Sequence, residues 1–184
     1  MENTRNDIWQ FTMTYGAILG IILVIISVLL YLLGFMKFNI LMSVVLFLIN
    51  VAIIVTMVSI GTKRYRNEML GGYIDFGKAF LVGLLIVVFS SVLTTFYNVL
   101  FNTFIDPDFY DRTMEAARDW TANFMYSKGV PEDQIDQALE QMAGRDKPSV
   151  ISMILGGIVT GAIGGSIISL ITAAILKKEP YDSQ

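Results

Sequence analysis

The chain has 184 residues, 54% of them hydrophobic and 16% charged, with a net charge of −3. Its mean hydropathy of +0.62 lies toward membrane proteins. The acidic balance offers no bulk attraction to nucleic acid, and with no cysteine or histidine the chain lacks disulfides, thiol chemistry and the commonest soft-metal ligands.

Four apolar runs contain no charge: 16–36, 38–60, 79–101 and 150–176. Each reaches the roughly 20 residues that a helix needs to cross the hydrocarbon core. The predicted fold class is therefore all-α, an integral membrane bundle of four transmembrane helices. Before the first run, Trp9, Phe11 and Tyr15 form an aromatic belt at headgroup level. Glu2, Arg5 and Asp7 make the preceding segment mixed in charge, and no Ala-x-Ala exit follows, so the run reads as a retained span. Met36-Lys37-Phe38-Asn39 is too short for anything but an antiparallel turn into the second span.

The connection after span two carries Lys63, Arg64, Arg66 and Lys78, with the breaker pair Gly71-Gly72 inside it. Lys63, Arg64 and Arg66 can meet anionic lipid headgroups. Retention of topology by positive charge is the plainer reading. Span three carries a polar stripe, Ser90, Thr94, Asn98 and Asn102, at steps of four residues. In hydrocarbon such groups need partners, and interhelical hydrogen bonds worth on the order of 0.6 kcal/mol each are expected, with Asn50 of span two as a candidate. A polar path for a solute or a lipid headgroup is the other reading. It is disfavoured because no ionisable side chain lies at depth beside the stripe.

The insert 106–148 holds ten acidic and five basic residues. Phe109, Met114, Ala117, Trp120 and Phe124 recur at helical spacing, which predicts an amphipathic helix from about Pro107 to Ser127, stopped at Gly129. A second helix is expected from Pro131, with Glu132 and Asp133 at its positive end, Ile135, Ala138, Leu139 and Met142 on its apolar face, and Gly144 as its stop. The insert is thus a helical hairpin between spans three and four, and its apolar side chains should dock on the bundle, on headgroups or on another protein. Its carboxylates are spread along helix faces, as in a solvated acidic surface, and no metal or other cofactor is expected.

Span four has the sharpest pattern. Gly157, Gly161, Gly165, Ser169 and Ala173 repeat every four residues, and Gly156 and Gly164 widen the smooth face. Side chains this small let two helix backbones approach closely. Packing within the chain's own bundle is the preferred reading, and dimerisation the alternative. The organisation is then 1–105 for three spans, 106–148 for the acidic hairpin, and 149–184 for the fourth span and tail. The density of Lys and Arg beside span ends puts both termini in the cytoplasm and 106–148 outside.

Several segments, in order, resemble a four-span family called domain of unknown function 4199. They are Tyr15-Gly16-Ala17-Ile18-Leu19-Gly20, Asp75-Phe76-Gly77-Lys78-Ala79-Phe80, Tyr97-Asn98 with Phe104-Ile105-Asp106-Pro107-Asp108, and Pro131-Glu132-Asp133-Gln134-Ile135. The resemblance implies a Bacteroidota-type inner membrane protein, with residues 106–148 periplasmic, and carries no established activity or catalytic residue. The expected function is a small non-enzymatic membrane protein that contacts lipid and assembles with itself or with an envelope partner. The alternative is a transporter or lipid-carrier translocation subunit, such as an accessory to a lipid-directed glycosyltransferase.

Overall fold

The structure, a computed structural model, describes residues 2–34, 40–143 and 147–179. Six α-helices occur among them: α1 Glu2–Leu32, α2 Ile40–Arg64, α3 Phe76–Leu100, α4 Phe109–Ser127, α5 Glu132–Ala143 and α6 Val150–Leu176. Two π-helical turns, Tyr65–Met69 and Phe101–Ile105, prolong α2 and α3. No β-sheet forms among the described residues. The expected turn at Met36–Asn39 and the expected stop at Gly144 lie outside them.

Four segments are long and apolar enough to cross a membrane: Asp7–Leu32, Ile40–Met69, Phe76–Ile105 and Val150–Leu176. Span four has the bounds the sequence gives it, because Ser149 caps its first turn by accepting from the Ser152 N–H at 3.2 Å. The other three overrun their apolar cores. A helix need not stop where hydrocarbon stops, since its backbone bonds are satisfied internally in either solvent. At the start of α3 the Asp75 carboxylate accepts from the Lys78 N–H at 2.9 Å and serves as the N-cap. Gly71 and Gly72 turn the chain just before it with φ of +64° and +97°, a region that favours glycine.

Helix α3 is the centre of the bundle, with α1 on one side and α6 on the other. Gly16 and Gly20 of α1 lie so close to α3 that β-carbons on them would meet Phe89 Cβ at 2.5 Å and Leu93 Cδ2 at 2.8 Å. Helix α2 is packed most closely at its C-terminal end, with Ile53, Ile54 and Met57 partly buried against the core. Val58, Gly61 and Thr62 are its buried residues, and the stretch from Ile40 to Val55 has no fully buried residue.

The insert forms the expected pair of helices, with Gly129 at φ +72° between them. Only its base docks on the bundle. Helices α4 and α5 pack on each other, and Ile135 is fully buried in that seam. Trp120 and Phe124 remain exposed and stack with ring centres 5.2 Å apart. The ties to the bundle gather at the base, where Phe109 meets Tyr31 and Phe101 edge to face.

Candidate functional site: an intramembrane cleft

The site begins with the contact between α3 and α6. Gly157 faces Thr95, Gly161 faces Ser91, Gly165 faces Val87, and in the reverse sense Gly83 faces Ser169. Each step of four residues forward on one helix matches four backward on the other. The same antiparallel register brings Ala173 level with Ala79, both buried in one core cluster. It continues past the helix end, where Ile74 and Lys178 exchange two backbone hydrogen bonds of 2.9 Å. The five small residues of α6 therefore lie along α3 within this chain.

Gly156 and Gly164 do not share that contact. One residue of offset turns a side-chain position by about 100°, and a β-carbon on either glycine would meet nothing within 4 Å. They face a cleft of about 730 Å³ between α6 and the stretch of α2 from Phe47 to Val55. Phe47 and Val51 of α2 form one wall, Gly156, Thr160 and Gly164 the other, and Ser90, Thr94 and Asn98 of α3 lie at its back. No lining residue is ionisable. Phe47, Ile167 and Ile171, all exposed, mark the rim, so the cleft opens sideways.

The polar stripe bonds differently from expectation. Asn98 Nδ2 donates to Thr94 O and Asn102 Nδ2 to Asn98 O, both at 2.9 Å. The Thr94 hydroxyl is shared between Ser90 O and Ser91 O at 3.2 Å each. Asn50, the expected interhelical partner, donates instead to Leu46 O of its own helix at 2.8 Å. Each donor thus reaches back along its own helix to a carbonyl three or four residues earlier, a bond open to side chains of this length. Among the described residues, no side chain of the stripe bonds to another helix.

Of the basic residues, Arg66 Nη1 donates to Leu176 O at the end of α6, 3.2 Å away. It neutralises the negative end of that helix. Arg64 Nη1 donates to the Tyr15 hydroxyl at 3.2 Å and stands 3.9 Å from Glu68 in an exposed ion pair. Lys63 is exposed. The cluster lies at the end of the bundle opposite Asn98.

A junction that spacing could not reveal ties the bundle to the hairpin. Asp106, buried at 8% exposure, accepts from the Tyr31 hydroxyl at 2.9 Å and from Arg112 Nη2 at 2.5 Å. The Arg112 bond holds the Asp106 carboxyl below the usual carboxylate range against the opposing effect of burial, and the Tyr31 bond adds to it. Lys147 Nζ donates to the neighbouring Pro107 carbonyl. Among the described residues, no group of three or more carboxylates is placed to hold a metal ion.

A family model described as protein of unknown function (DUF4199) matches residues 14–178. The chain belongs to that family. The match takes in the first membrane-crossing segment from Thr14 onward, the other three segments, the acidic hairpin and the Ile74–Lys178 pair. Neither a curated protein nor a solved structure matches the chain.

Proposed function

We propose that this is a non-enzymatic, multi-pass membrane protein whose lateral cleft takes up the hydrocarbon chain of a lipid. The observation that carries this reading is the size and chemistry of the cleft. Its α6 wall runs from Gly156 to Thr172, about 24 Å at 1.5 Å per residue, and bounds about 730 Å³, a long trough that suits an extended hydrocarbon chain. An apolar trough open to the bilayer gains dispersion contacts when filled, and a lining of glycine, aliphatic, Ser, Thr and Asn side chains supplies no acid–base or nucleophilic pair.

The proposed setting is the inner membrane of a bacterial envelope. Support for cytoplasmic termini comes from Lys63, Arg64, Arg66, Lys78, Lys177 and Lys178, which gather at one end of the spans, with the acidic hairpin at the other. A second reading, assembly with an envelope partner through the hairpin, is favoured by the exposed Trp120–Phe124 stack. That reading concerns a different surface and is compatible with the first.

Replacement of Gly164 by leucine tests the lipid reading. The new side chain meets nothing at its β-carbon and points into the cleft. The expected result is an intact fold with lipid no longer retained, read by native mass spectrometry from mild detergent. Equal lipid retention by wild type and G164L overturns the reading. Co-purification of a second polypeptide that G164L alone releases would transfer the cleft to a partner helix.

A further inference from the structure

A smaller pocket of about 250 Å³ adjoins the cleft, sharing Leu23, Thr94 and Asn98 with it. Three helices supply its polar side chains: Ser27 from α1, Asn50 from α2, and Thr94, Tyr97 and Asn98 from α3. A carboxamide has two N–H donors and a carbonyl acceptor. Asn50 and Asn98 each spend one N–H on their own helix, leaving one N–H and Oδ1 apiece. Among the described residues, the Ser27 and Tyr97 hydroxyls have no hydrogen-bond partner. The pocket therefore offers donors and acceptors together, with no charged side chain in its lining.

Its depth is informative. The span Phe76–Ile105 has 30 residues, about 45 Å, which equals a bilayer with its headgroup regions. Asn98 lies about 10 Å inward from the Ile105 end. That level is the boundary between headgroups and hydrocarbon, where the bond joining a lipid's chain to its polar part resides. A phosphate here would lack a cation, and a plain ester, which only accepts, would leave the amide oxygens without donors.

We propose that this pocket binds the polar linkage of the lipid whose chain fills the cleft, and that it selects a linkage that both donates and accepts hydrogen bonds, such as a secondary amide beside a hydroxyl. The selection rests on the lipid reading above and refines it. In this arrangement Asn50 and Asn98 accept from the amide N–H or the hydroxyl through Oδ1. Their spare N–H groups and the Ser27 hydroxyl donate to the linkage carbonyl. The chain then runs from Asn98 along Gly164 toward Thr172.

The test compares two lipids that share a phosphocholine headgroup and chain length and differ in linkage, sphingomyelin and a diacyl phosphatidylcholine. Both are supplied in equal amounts in nanodiscs, and retained lipid is counted by native mass spectrometry after detergent release. Wild type should retain sphingomyelin about 5- to 10-fold over the diester, the ratio expected of two such bonds in a membrane. Asn50→Leu with Asn98→Leu should abolish the preference, so that the two lipids are retained equally. Ser27→Ala removes a donor to the carbonyl that both lipids carry, so it should lower retention of both without changing their ratio, and melting curves establish that each variant is folded. Equal retention of the two lipids by wild type, or a preference that survives the double substitution, overturns the inference while the lipid reading stands. Retention of neither, with G164L indistinguishable from wild type, removes both.

Discussion

Ser91 of α3 rests in the notch left by Gly161 of α6. A β-carbon on Gly161 would lie 2.3 Å from the serine Cβ and 2.5 Å from its Oγ. The neighbour has little freedom to yield, because the Ser91 hydroxyl is bonded to Val88 O at 2.8 Å. Replacing Gly161 with leucine should therefore force α3 and α6 apart, at a cost of about 1–3 kcal/mol or more. Gly164→Leu, three residues away but facing the cleft, should change stability by less than about 0.5 kcal/mol. Unfolding in a denaturing detergent series measures both, and equal effects would refute the register.

Ser169 presents the opposite case. Its hydroxyl is buried against Gly83 and has no hydrogen-bond partner among the described residues. Ser169→Ala removes an unsatisfied group, so stability should hold or rise by up to about 1 kcal/mol. A clear loss of stability in the same assay would mean that the hydroxyl has a partner in the membrane.

Asp106 makes the tie between bundle and hairpin dependent on pH. Its carboxyl is held below its unfolded value, so the stabilisation is full above the ordinary carboxylate range and disappears as pH falls through the lowered value. Wild type should lose thermal stability across that acid window. Asp106→Asn should be less stable at neutral pH and should lack the acid-dependent loss, as melting curves over a pH series would report. Parallel curves for the two proteins would contradict the assignment.

Orientation is open to direct labelling, since the native chain has no cysteine. A cysteine at Ser127, an exposed position at the end of α4, should react with an impermeant maleimide in cells whose outer membrane has been permeabilised. Labelling only after lysis would invert the proposed topology.

The sequence made the four spans and the acidic hairpin legible, because uninterrupted apolar length and helical spacing are local properties. It was less informative about bonding along α3. Steps of four residues align polar groups on one face toward a neighbouring helix, yet the same steps let Asn98 and Asn102 reach carbonyls of their own helix. Spacing cannot separate these outcomes. Gly156 and Gly164 looked like a broader version of one smooth face, and their rotation of about 100° gives them a different environment. The cleft they line is a space left by α2, and no residue pattern encodes where a helix stays away. The Tyr31–Asp106 bond joins positions 75 residues apart, beyond the reach of any local pattern.

The central position of α3 has a consequence for biosynthesis. Its face toward α1 is covered by a helix already made, whereas its face toward α6 must wait while about 50 residues of α4, α5 and their connections are translated. At about 5–20 residues per second that interval is roughly 3–10 s. Throughout it Gly83, Ser91 and Thr95 lie in the bilayer or against the insertion machinery without the helix that will cover them. A nascent chain halted before Val150 would keep that face open, so completion of the fold is coupled to the last stretch of translation.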